Sequence, residues 1–279
     1  MTDLQRALGE LVQHTHADAG DRDRDAIVVE RLSKTYHDGT EAVRGVTFRV
    51  AAGESYGLLG PNGAGKSTTV GMLGTLVRPT SGRATIAGHD VEEQPQEVRR
   101  RIGFAMQEVG VDAFATAREL LVLQGRLHGL RRGESVRRAN LLLALVDLTE
   151  VAGKRLDGFS GGMQRRVDLA AALMHLPEVV FFDEPTEGLD PRARTAIWDA
   201  LDQLRRQLGV TIVLTTHYMD EADRLCDRLG IIDRGSIVAE GSPTELKSAV
   251  GTDSLEDVYL HYTGHAFDAA NQVVLEQAA

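Results

Sequence analysis

The sequence predicts an α/β domain on a largely parallel sheet, with a small antiparallel β section near its start and an inserted helical subdomain. From Ala26 onward, short apolar and β-branched runs alternate with segments of helical period, which is the pattern of a parallel sheet with crossover helices. Between about residues 109 and 176, leucine-rich segments keep a helical spacing and no strand pattern interrupts them. The alternation resumes with the apolar run Val179–Phe182.

The first part of the domain contains the strands of the antiparallel section and the start of the parallel sheet. Apolar and β-branched runs bounded by polar or glycine-containing segments predict strands. These predicted strands are Ile27–Val29, Val46–Val50, Ser55–Leu59 and Thr85–Ala87, with Gly88 after the last one. A helix is predicted over Thr68–Leu76, and Arg78-Pro79 ends it because proline lacks the amide hydrogen that a helix needs.

The second part of the domain returns to alternating strands and helices. The predicted strands are Val179–Phe182, Thr211–Thr215 and Gly230–Ile232. A helix is predicted to begin at Ser242, because this residue provides an N-cap, Pro243 suits the first helical position and Glu245 completes a capping box. After Gly251, an amphipathic turn or two is indicated by Leu255, Val258, Tyr259 and Tyr262.

These patterns divide the chain into an N-terminal extension (1–25), a main domain (26–250) and a C-terminal tail (251–279), with the helical subdomain inside the main domain. In the extension, the residues at helical spacing are Leu4, Leu8, Leu11 and Val12. The rest of the extension is polar and dense in charge, as linkers are. Two alternatives stay open for it: a short frayed helix in a flexible segment, or a helix that docks on a partner.

The composition indicates the cellular compartment and disfavours one class of binding partner. The 279 residues carry a formal net charge of -10, which argues against nucleic acid as a partner because such proteins present basic surface to phosphates. The single cysteine, Cys226, excludes a disulfide framework within the chain and fits a reducing cytosol. No secretory signal is visible, and no run approaches the roughly 20 apolar residues that span a bilayer. We therefore expect a cytoplasmic protein whose role at a membrane is peripheral.

One segment matches a phosphate-binding loop. Gly60-Pro-Asn-Gly-Ala-Gly-Lys-Ser67 satisfies G-x-x-x-x-G-K-[ST] and lies between an apolar strand and a helix. Glycines let successive backbone N–H groups face phosphate oxygens, and a helix N-terminus favours an anion. The lysine supplies charge to the β- and γ-phosphates, and the serine hydroxyl coordinates Mg²⁺. The predicted nucleotide-binding residues are Gly60, Pro61, Asn62, Gly63, Ala64, Gly65, Lys66, Ser67 and Thr68, and Ser67 is also a predicted magnesium ligand.

A pair of carboxylates follows a buried strand. Val179–Phe182 is continuously apolar, as expected for a central strand, and Asp183-Glu184 come at its carboxyl end. Because ligands of open α/β sheets bind at the carboxyl ends of strands, the pair is expected to face the phosphate loop. Asp183 is then the predicted carboxylate on the Mg²⁺ side, and Glu184 the catalytic base that orients and deprotonates the attacking water. Taken alone, the pair has a solvated strand end as its alternative.

Several further motifs occur in a fixed order along the chain. They are Tyr36, the phosphate loop, Gln107, Phe159-Ser-Gly-Gly-Met163, the carboxylate pair, Pro185-Thr-Glu-Gly-Leu-Asp190 and Thr216-His217. This set, over about residues 27 to 248, resembles the ATP-binding subunits of ABC (ATP-binding cassette) transporters. The resemblance implies a P-loop NTPase core that binds ATP and Mg²⁺.

The resemblance also implies roles for single residues. Tyr36 would stack on adenine, Gln107 would be a catalytic Q-loop residue and a magnesium ligand, and His217 would be the catalytic switch histidine. Each has an ordinary alternative when taken singly: a core or edge aromatic, a surface amide and a structural histidine at a strand end. Asp190 would belong to the D-loop, and it also suits the N-cap of a helix with Pro191 at the first position.

A second anion site is predicted at Ser160, Gly161 and Gly162, where a hydroxyl and free N–H groups meet at a helix start. The resemblance implies that this signature motif faces the ATP of a second ATP-binding subunit. A homodimer is the simplest form of this pairing, and a pairing with a different cassette stays open. Phe159 and Met163 depart from the leucine and glutamine of most of the family, but the Ser-Gly-Gly core is intact, so we expect activity to survive.

The stretch from Ser160 to Arg166 and the tail from Leu255 to Gly264 look like the daunorubicin-resistance type of drug and antibiotic exporter. This resemblance implies an ATPase on the inner face of the cell membrane that powers a separate integral membrane permease. The exported compound would be drug-like or antibiotic-like and hydrophobic. One rival is a non-transport ABC ATPase in translation or DNA repair. Another is a P-loop kinase or GTPase, although the chain shows no Asn-Lys-x-Asp base-reading element.

Overall fold

The computed structural model describes residues 24–105 and 114–264. The apolar positions of the N-terminal extension lie outside the described residues, and so does Gln107. The predictions made for them therefore stay predictions.

Ten strands in the described part of the chain form two sheets. They are β1 (Asp25–Thr35), β2 (Glu41–Ala51), β3 (Ser55–Leu59), β4 (Ser81–Ile86), β5 (His89–Asp90), β6 (Ile102–Ala105), β7 (Val179–Asp183), β8 (Thr211–Thr216), β9 (Arg228–Asp233) and β10 (Ser236–Gly241). The smaller sheet is antiparallel in the order β2-β1-β4-β5. The larger sheet has the order β10-β9-β3-β8-β7-β6 and is parallel except for β10 at its edge.

Helices cover the sheets and form the inserted subdomain. They are α1 (Lys66–Leu73), α2 (Pro95–Arg101), α3 (Ala117–Leu127), α4 (Arg132–Leu145), α5 (Gly161–Ala172), α6 (Pro191–Leu208), α7 (Met219–Leu225), α8 (Pro243–Val250) and α9 (Leu255–Thr263). Between residues 114 and 176 the structure contains helices and short 3₁₀ turns but no strand. The predicted α/β domain with an antiparallel section and a helical insertion is confirmed.

The larger sheet brings three loops to one edge. Every residue of β3, β7 and β8 is buried, which explains their nearly continuous apolar sequence. In the parallel register, Leu59 lies opposite Thr216, and Asp183 lies opposite Thr215. The segments that follow these three strands therefore leave the sheet side by side. They are the phosphate loop, the segment after Asp183, and the segment that begins with His217.

Some element boundaries differ from the prediction. The helix expected over Thr68–Leu76 runs over Lys66–Leu73, because Gly65 is its N-cap and the chain leaves the helix at Gly74. Strand β6, which has only four residues, and helix α2, which has only seven, were not predicted. Strand β10 was not predicted either, and its residues are half-buried or exposed at the edge of the sheet.

The predicted capping box at the start of α8 is confirmed. Ser242 Oγ accepts a hydrogen bond from Glu245 N at 3.2 Å, and Glu245 Oε2 accepts one from Ser242 N at 2.9 Å. These two bonds satisfy amide groups that have no partner inside the helix. The helix then ends at Gly251, which has a φ of 80°.

Helix α9 carries the apolar face predicted for the start of the tail. Leu255, Val258 and Tyr259 are buried in the same hydrophobic core as the helical subdomain. The Tyr259 hydroxyl donates to Asp233 Oδ1 at 3.2 Å. Tyr262 was expected on the same face, but it remains 38% exposed because the helix presents it to solvent.

Candidate functional site

The phosphate loop connects β3 to α1 and depends on its glycines. Gly63 and Gly65 have φ of 79° and 104°, values that side chains disfavour. A Cβ atom on Gly65 would lie 2.4 Å from the Ala42 carbonyl oxygen, and one on Gly60 would lie 2.3 Å from the Ile232 carbonyl oxygen. The backbone of the loop therefore packs closely against two neighbouring strands. The N-terminus of α1 follows the loop directly, as predicted.

Lys66 lies at the centre of this loop with its side chain buried. Its ammonium group donates to the Gly60 carbonyl at 2.8 Å and to the Pro61 carbonyl at 3.1 Å. Its Nζ atom also lies 3.0 Å from Glu184 Oε1. A buried ammonium needs such partners because burial removes its water. The contact joins two residues that were predicted, from distant parts of the sequence, to lie in one catalytic site.

Oxygen atoms suited to magnesium meet beside the lysine. Ser67 Oγ donates to Asp183 Oδ1 at 3.1 Å, and the Thr215 hydroxyl donates to the same carboxylate oxygen. Mg²⁺ prefers oxygen ligands and is often held by one or two carboxylates together with substrate phosphates and water. One hydroxyl and one carboxylate at the mouth of a phosphate loop fit that pattern. Among residues 24–105 and 114–264 there is no cluster of three or more histidine, cysteine and acidic side chains that would hold a metal ion alone.

Glu184 has an unusual backbone conformation. Its φ is 48°, in the left-handed region, where a residue with a side chain is strained. Its amide group is held by Thr215, with the carbonyl oxygen at 3.2 Å and the hydroxyl oxygen at 3.0 Å. The conformation directs the carboxylate between Lys66 and His217. His217 Nδ1 lies 3.3 Å from Glu184 Oε2.

The surroundings of Glu184 keep it ionised. Burial raises its pKa, but the opposing effects of His217, Glu187 and the Lys66 ammonium are larger and lower it to about 2. An ionised carboxylate accepts hydrogen bonds, which is what a group that orients an attacking water must do. His217 is itself buried at the end of β8, and its ring lies 4.2 Å from the ring of Tyr218.

A cleft of about 640 Å³ opens above these residues. Its lining contains Asn62, Gly63, Gly65, Lys66, Ser67, Thr68 and Glu184 from the predicted site, and Thr40, Glu41, Ala42, Arg44 and Arg234 in addition. This volume lies in the range of small-molecule and cofactor sites. The structure therefore places most of the predicted phosphate-binding residues and the predicted base on one cavity.

The two arginines of the cleft were not predicted from the sequence. Arg44 comes from the start of β2 and Arg234 from the β9–β10 hairpin turn. Gly235 N in that turn donates to Ala64 O at 2.9 Å, and Arg44 N donates to Gly235 O at 2.7 Å, so the hairpin packs against the phosphate loop. No local motif marks these arginines, because only the pairing of distant segments brings them to the cleft.

Tyr36 is near the loop but outside the cleft lining. Its side chain is at the surface, with 40% of the residue exposed, and its hydroxyl lies 3.4 Å from Thr68 Oγ1. Lys34 Nζ lies 5.2 Å from the centre of its ring. An exposed aromatic face next to a phosphate loop is suited to stacking on a base. Its predicted contact with adenine stays a prediction.

The signature residues lie away from the cleft, with Ser160 and Gly161 exposed and Gly162 buried. Ser160 is the N-cap of α5 and accepts a hydrogen bond from Met163 N at 3.3 Å. Neither this serine nor Gly161 or Gly162 lines the cleft. They adjoin the segment around Asp190 instead, since a Cβ atom on Gly162 would lie 2.9 Å from Ala193 Cβ. The described chain thus has two separate helix starts suited to phosphate.

Asp190 is the N-cap of α6. Its Oδ1 atom accepts from Arg192 N and Ala193 N, both at 3.0 Å, and Pro191 takes the first helical position. The N-cap expected from the sequence is confirmed. Its predicted part in a D-loop stays a prediction.

No helix in the described ranges is sufficiently long and apolar to cross a bilayer.

Known proteins resemble this chain over most of its length. The sequence model of the ABC transporter family matches residues 43–187. The chain is 47% identical over 230 residues to the daunorubicin/doxorubicin resistance ATP-binding protein of Streptomyces peucetius, which covers 82% of this chain and 69% of the relative. It is 42% identical over 238 residues to the linearmycin resistance ATP-binding protein of Bacillus subtilis (strain 168), with 85% and 76% covered.

Solved structures show the same architecture. CbiO1 of Clostridium perfringens, described as part of an ABC transporter complex, superposes with a TM-score of 0.75 at 28% identity, over 80% of this chain and 91% of that one. A dimeric ATP-binding cassette in a post-hydrolysis state with ADP and phosphate superposes with a TM-score of 0.70 at 28% identity, over 77% and 98%. The predicted P-loop NTPase core is confirmed by these likenesses.

Proposed function

This chain belongs to the ABC transporter family, and we propose that it is the ATP-hydrolysing subunit of an exporter for a drug-like or antibiotic-like hydrophobic compound. The family binds ATP and couples its hydrolysis to transport. The proposed catalytic site is supported above all by one observation. The Glu184 carboxylate contacts both the Lys66 ammonium and the His217 ring. These three groups lie at the carboxyl edge of the sheet beside Ser67 and Asp183.

In the proposed reaction, Glu184 orients water toward the γ-phosphate and accepts its proton. Lys66 and the backbone amides of the phosphate loop hold the β- and γ-phosphates. His217 fixes the carboxylate from the opposite side, and Gln107 keeps its predicted role. Ser67 and Asp183 would hold Mg²⁺, which supplies positive charge to the phosphate oxygens when it is bound.

The proposed active form is a head-to-tail dimer. A phosphate-binding helix start at Ser160–Gly162 that does not face the chain's own cleft is suited to the ATP of a second copy. ATP between two such surfaces would favour the closed pair, and hydrolysis would release it. This arrangement is supported by the dimeric cassette structure, which contains ADP and phosphate.

The proposed export role is supported by the relatives of this chain. Two relatives that match most of this chain are resistance proteins for daunorubicin or doxorubicin and for linearmycin. We place the chain on the inner face of the cell membrane, bound to an integral membrane permease that recognises the compound. The acidic net charge of -10 disfavours the rival role in translation or DNA repair.

The catalytic proposal is tested with Glu184→Gln. The amide cannot accept the proton, so we expect ATP turnover to fall by about 10²-fold or more while ATP binding and the closed dimer persist. Phosphate release and size-exclusion chromatography with ATP measure the two effects. Glu150→Gln, at an exposed 3₁₀ turn, is the matched control. Wild-type turnover in Glu184→Gln rejects this assignment of the base.

The transport proposal is tested by affinity purification of the tagged chain from detergent-solubilised membranes. Recovery with an integral membrane protein supports it. Co-sedimentation with ribosomes, in the absence of such a protein, supports the rival function in translation.

A further inference from the structure

The strained conformation of Glu184 needs an explanation from its surroundings. A non-glycine residue with a φ of 48° persists only where neighbouring contacts over-determine the backbone. Thr215 holds the peptide unit before Glu184 through the Glu184 amide, and Glu187 N donates to the Glu184 carbonyl at 3.2 Å in the turn that follows. Pro185 fixes its own φ but donates no hydrogen bond, so further restraint on this segment has to come through the carbonyl groups of Asp183 and Pro185.

Arg165 provides that restraint from the signature helix. Its side chain is buried, and its Nη2 atom donates to the Asp183 carbonyl at 2.9 Å. Its Nε atom donates to the Pro185 carbonyl at 3.0 Å. The two acceptors belong to the residues immediately before and after Glu184. A planar guanidinium holds two such acceptors in a fixed relative orientation, whereas a single ammonium group does not.

The charge of Arg165 is balanced locally. Asp168 Oδ2, one helical turn further along α5, lies 3.2 Å from Arg165 Nη1. The pair is largely buried, so the guanidinium stays at this position only because its carboxylate and carbonyl partners replace the lost water. The two donor groups of the guanidinium are therefore oriented before any substrate binds.

We propose that Arg165 is a positioning residue for hydrolysis: it clamps the carbonyl groups on both sides of Glu184 and so fixes where the catalytic carboxylate points. This inference rests on the proposed role of Glu184 as the base. Arg165 does not line the nucleotide cleft, so it acts through Glu184 and not on the phosphates.

The test compares Arg165→Lys with Arg166→Lys. The first variant keeps the positive charge beside Asp168 but loses the planar guanidinium that donates to the two carbonyl groups. The second makes the same change at the next residue, whose guanidinium donates to the Val146 carbonyl at 2.9 Å, away from Glu184. A displacement of about 1 Å in a catalytic group costs on the order of 10²-fold in rate. For Arg165→Lys we expect kcat for ATP hydrolysis to fall about 10- to 100-fold, with the Kd for ATP within about twofold of wild type.

Arg166→Lys is expected to keep kcat within about threefold of wild type. Thermal unfolding of each variant is measured beside kcat and Kd. If Arg165→Lys does not fold, Arg165→Gln combined with Asp168→Asn removes both charges together and avoids an unpaired buried carboxylate. The same selective loss of kcat is expected of that pair.

The outcomes distinguish failure of the clamp from failure of the proposed base. Wild-type kcat in a folded Arg165 variant overturns the inference. A parallel loss of kcat, ATP affinity and thermal stability also overturns it, because that is the signature of a merely structural residue. Wild-type turnover in Glu184→Gln rejects the proposed base itself, whereas an inactive Glu184→Gln beside a fully active Arg165→Lys rejects only the clamp.

Discussion

Replacing Thr215 with valine removes one hydroxyl from the centre of the site and keeps the shape of the side chain. The Thr215 hydroxyl oxygen accepts from Glu184 N at 3.0 Å and donates to Asp183 Oδ1. The residue is fully buried, so water cannot replace these bonds. Valine has the same branching but no hydrogen-bonding group.

The cost follows from the two bonds. A hydrogen bond to a charged group contributes about 1.5–3 kcal/mol. The Glu184 amide keeps the Thr215 carbonyl oxygen at 3.2 Å, so its loss is smaller. We expect the free energy of unfolding to fall by about 2–3 kcal/mol. At about 2–4 °C per kcal/mol for a domain of this size, the Tm falls by about 4–12 °C.

The assay is thermal unfolding by circular dichroism at equal protein concentration without nucleotide. Thr215→Ser is the matched control, because it keeps the hydroxyl and loses only a methyl group, which costs about 1 kcal/mol. Its Tm is expected to lie between those of wild type and Thr215→Val. A Thr215→Val Tm within about 2 °C of wild type refutes the reasoning, and so does a Thr215→Ser variant that is equally unstable.

Two further predictions concern the loop and a histidine pair. Gly65→Ala should weaken ATP binding by more than about tenfold in an equilibrium titration, because its Cβ would lie 2.4 Å from the Ala42 carbonyl at a φ of 104°. Gly133→Ala in α4, where a Cβ meets open space, should bind as wild type does, and normal binding by Gly65→Ala would contradict the argument. Burial and the stacked ring of His128 lower the pKa of His175 from 6.5 to about 4. As the pH drops, the histidine of the unfolded chain is therefore protonated before that of the folded chain. The free energy of unfolding consequently falls as the pH drops from 6.5 toward 4. His175→Gln should flatten this part of the curve of stability against pH, and an unchanged curve would refute the assignment.

The sequence was sufficient wherever a local pattern determines the structure. Buried parallel strands such as β7 are continuously apolar, and helix starts such as Asp190 and Ser242 have side chains that cap the free amides. The order of strands in the sheet then brought the phosphate loop and Glu184 together, as the rule for open α/β sheets predicts.

The remainder depends on tertiary contacts that leave no local pattern. Edge strand β10 is half-buried or exposed along its whole length, so its sequence lacks the continuous apolar run of the buried strands. Arg44 and Arg234 reach the cleft only because the β9–β10 hairpin packs on the phosphate loop. In the sequence, Arg165 looks like an ordinary exposed arginine on a helix. Only the packing of α5 against the end of β7 buries its side chain.

The partners of Lys66 connect nucleotide binding to the release of the base. An ammonium group has three donor hydrogens, and in this structure three oxygen atoms lie within reach: the carbonyls of Gly60 and Pro61 and Oε1 of Glu184. A phosphate that binds Lys66 must therefore displace one of them. The carbonyls belong to the backbone of the loop, whereas the carboxylate ends a side chain with rotatable bonds. We expect the carboxylate side chain to rotate away while Thr215 and Arg165 still hold the Glu184 backbone, so that binding of the γ-phosphate frees Glu184 to accept a hydrogen bond from water.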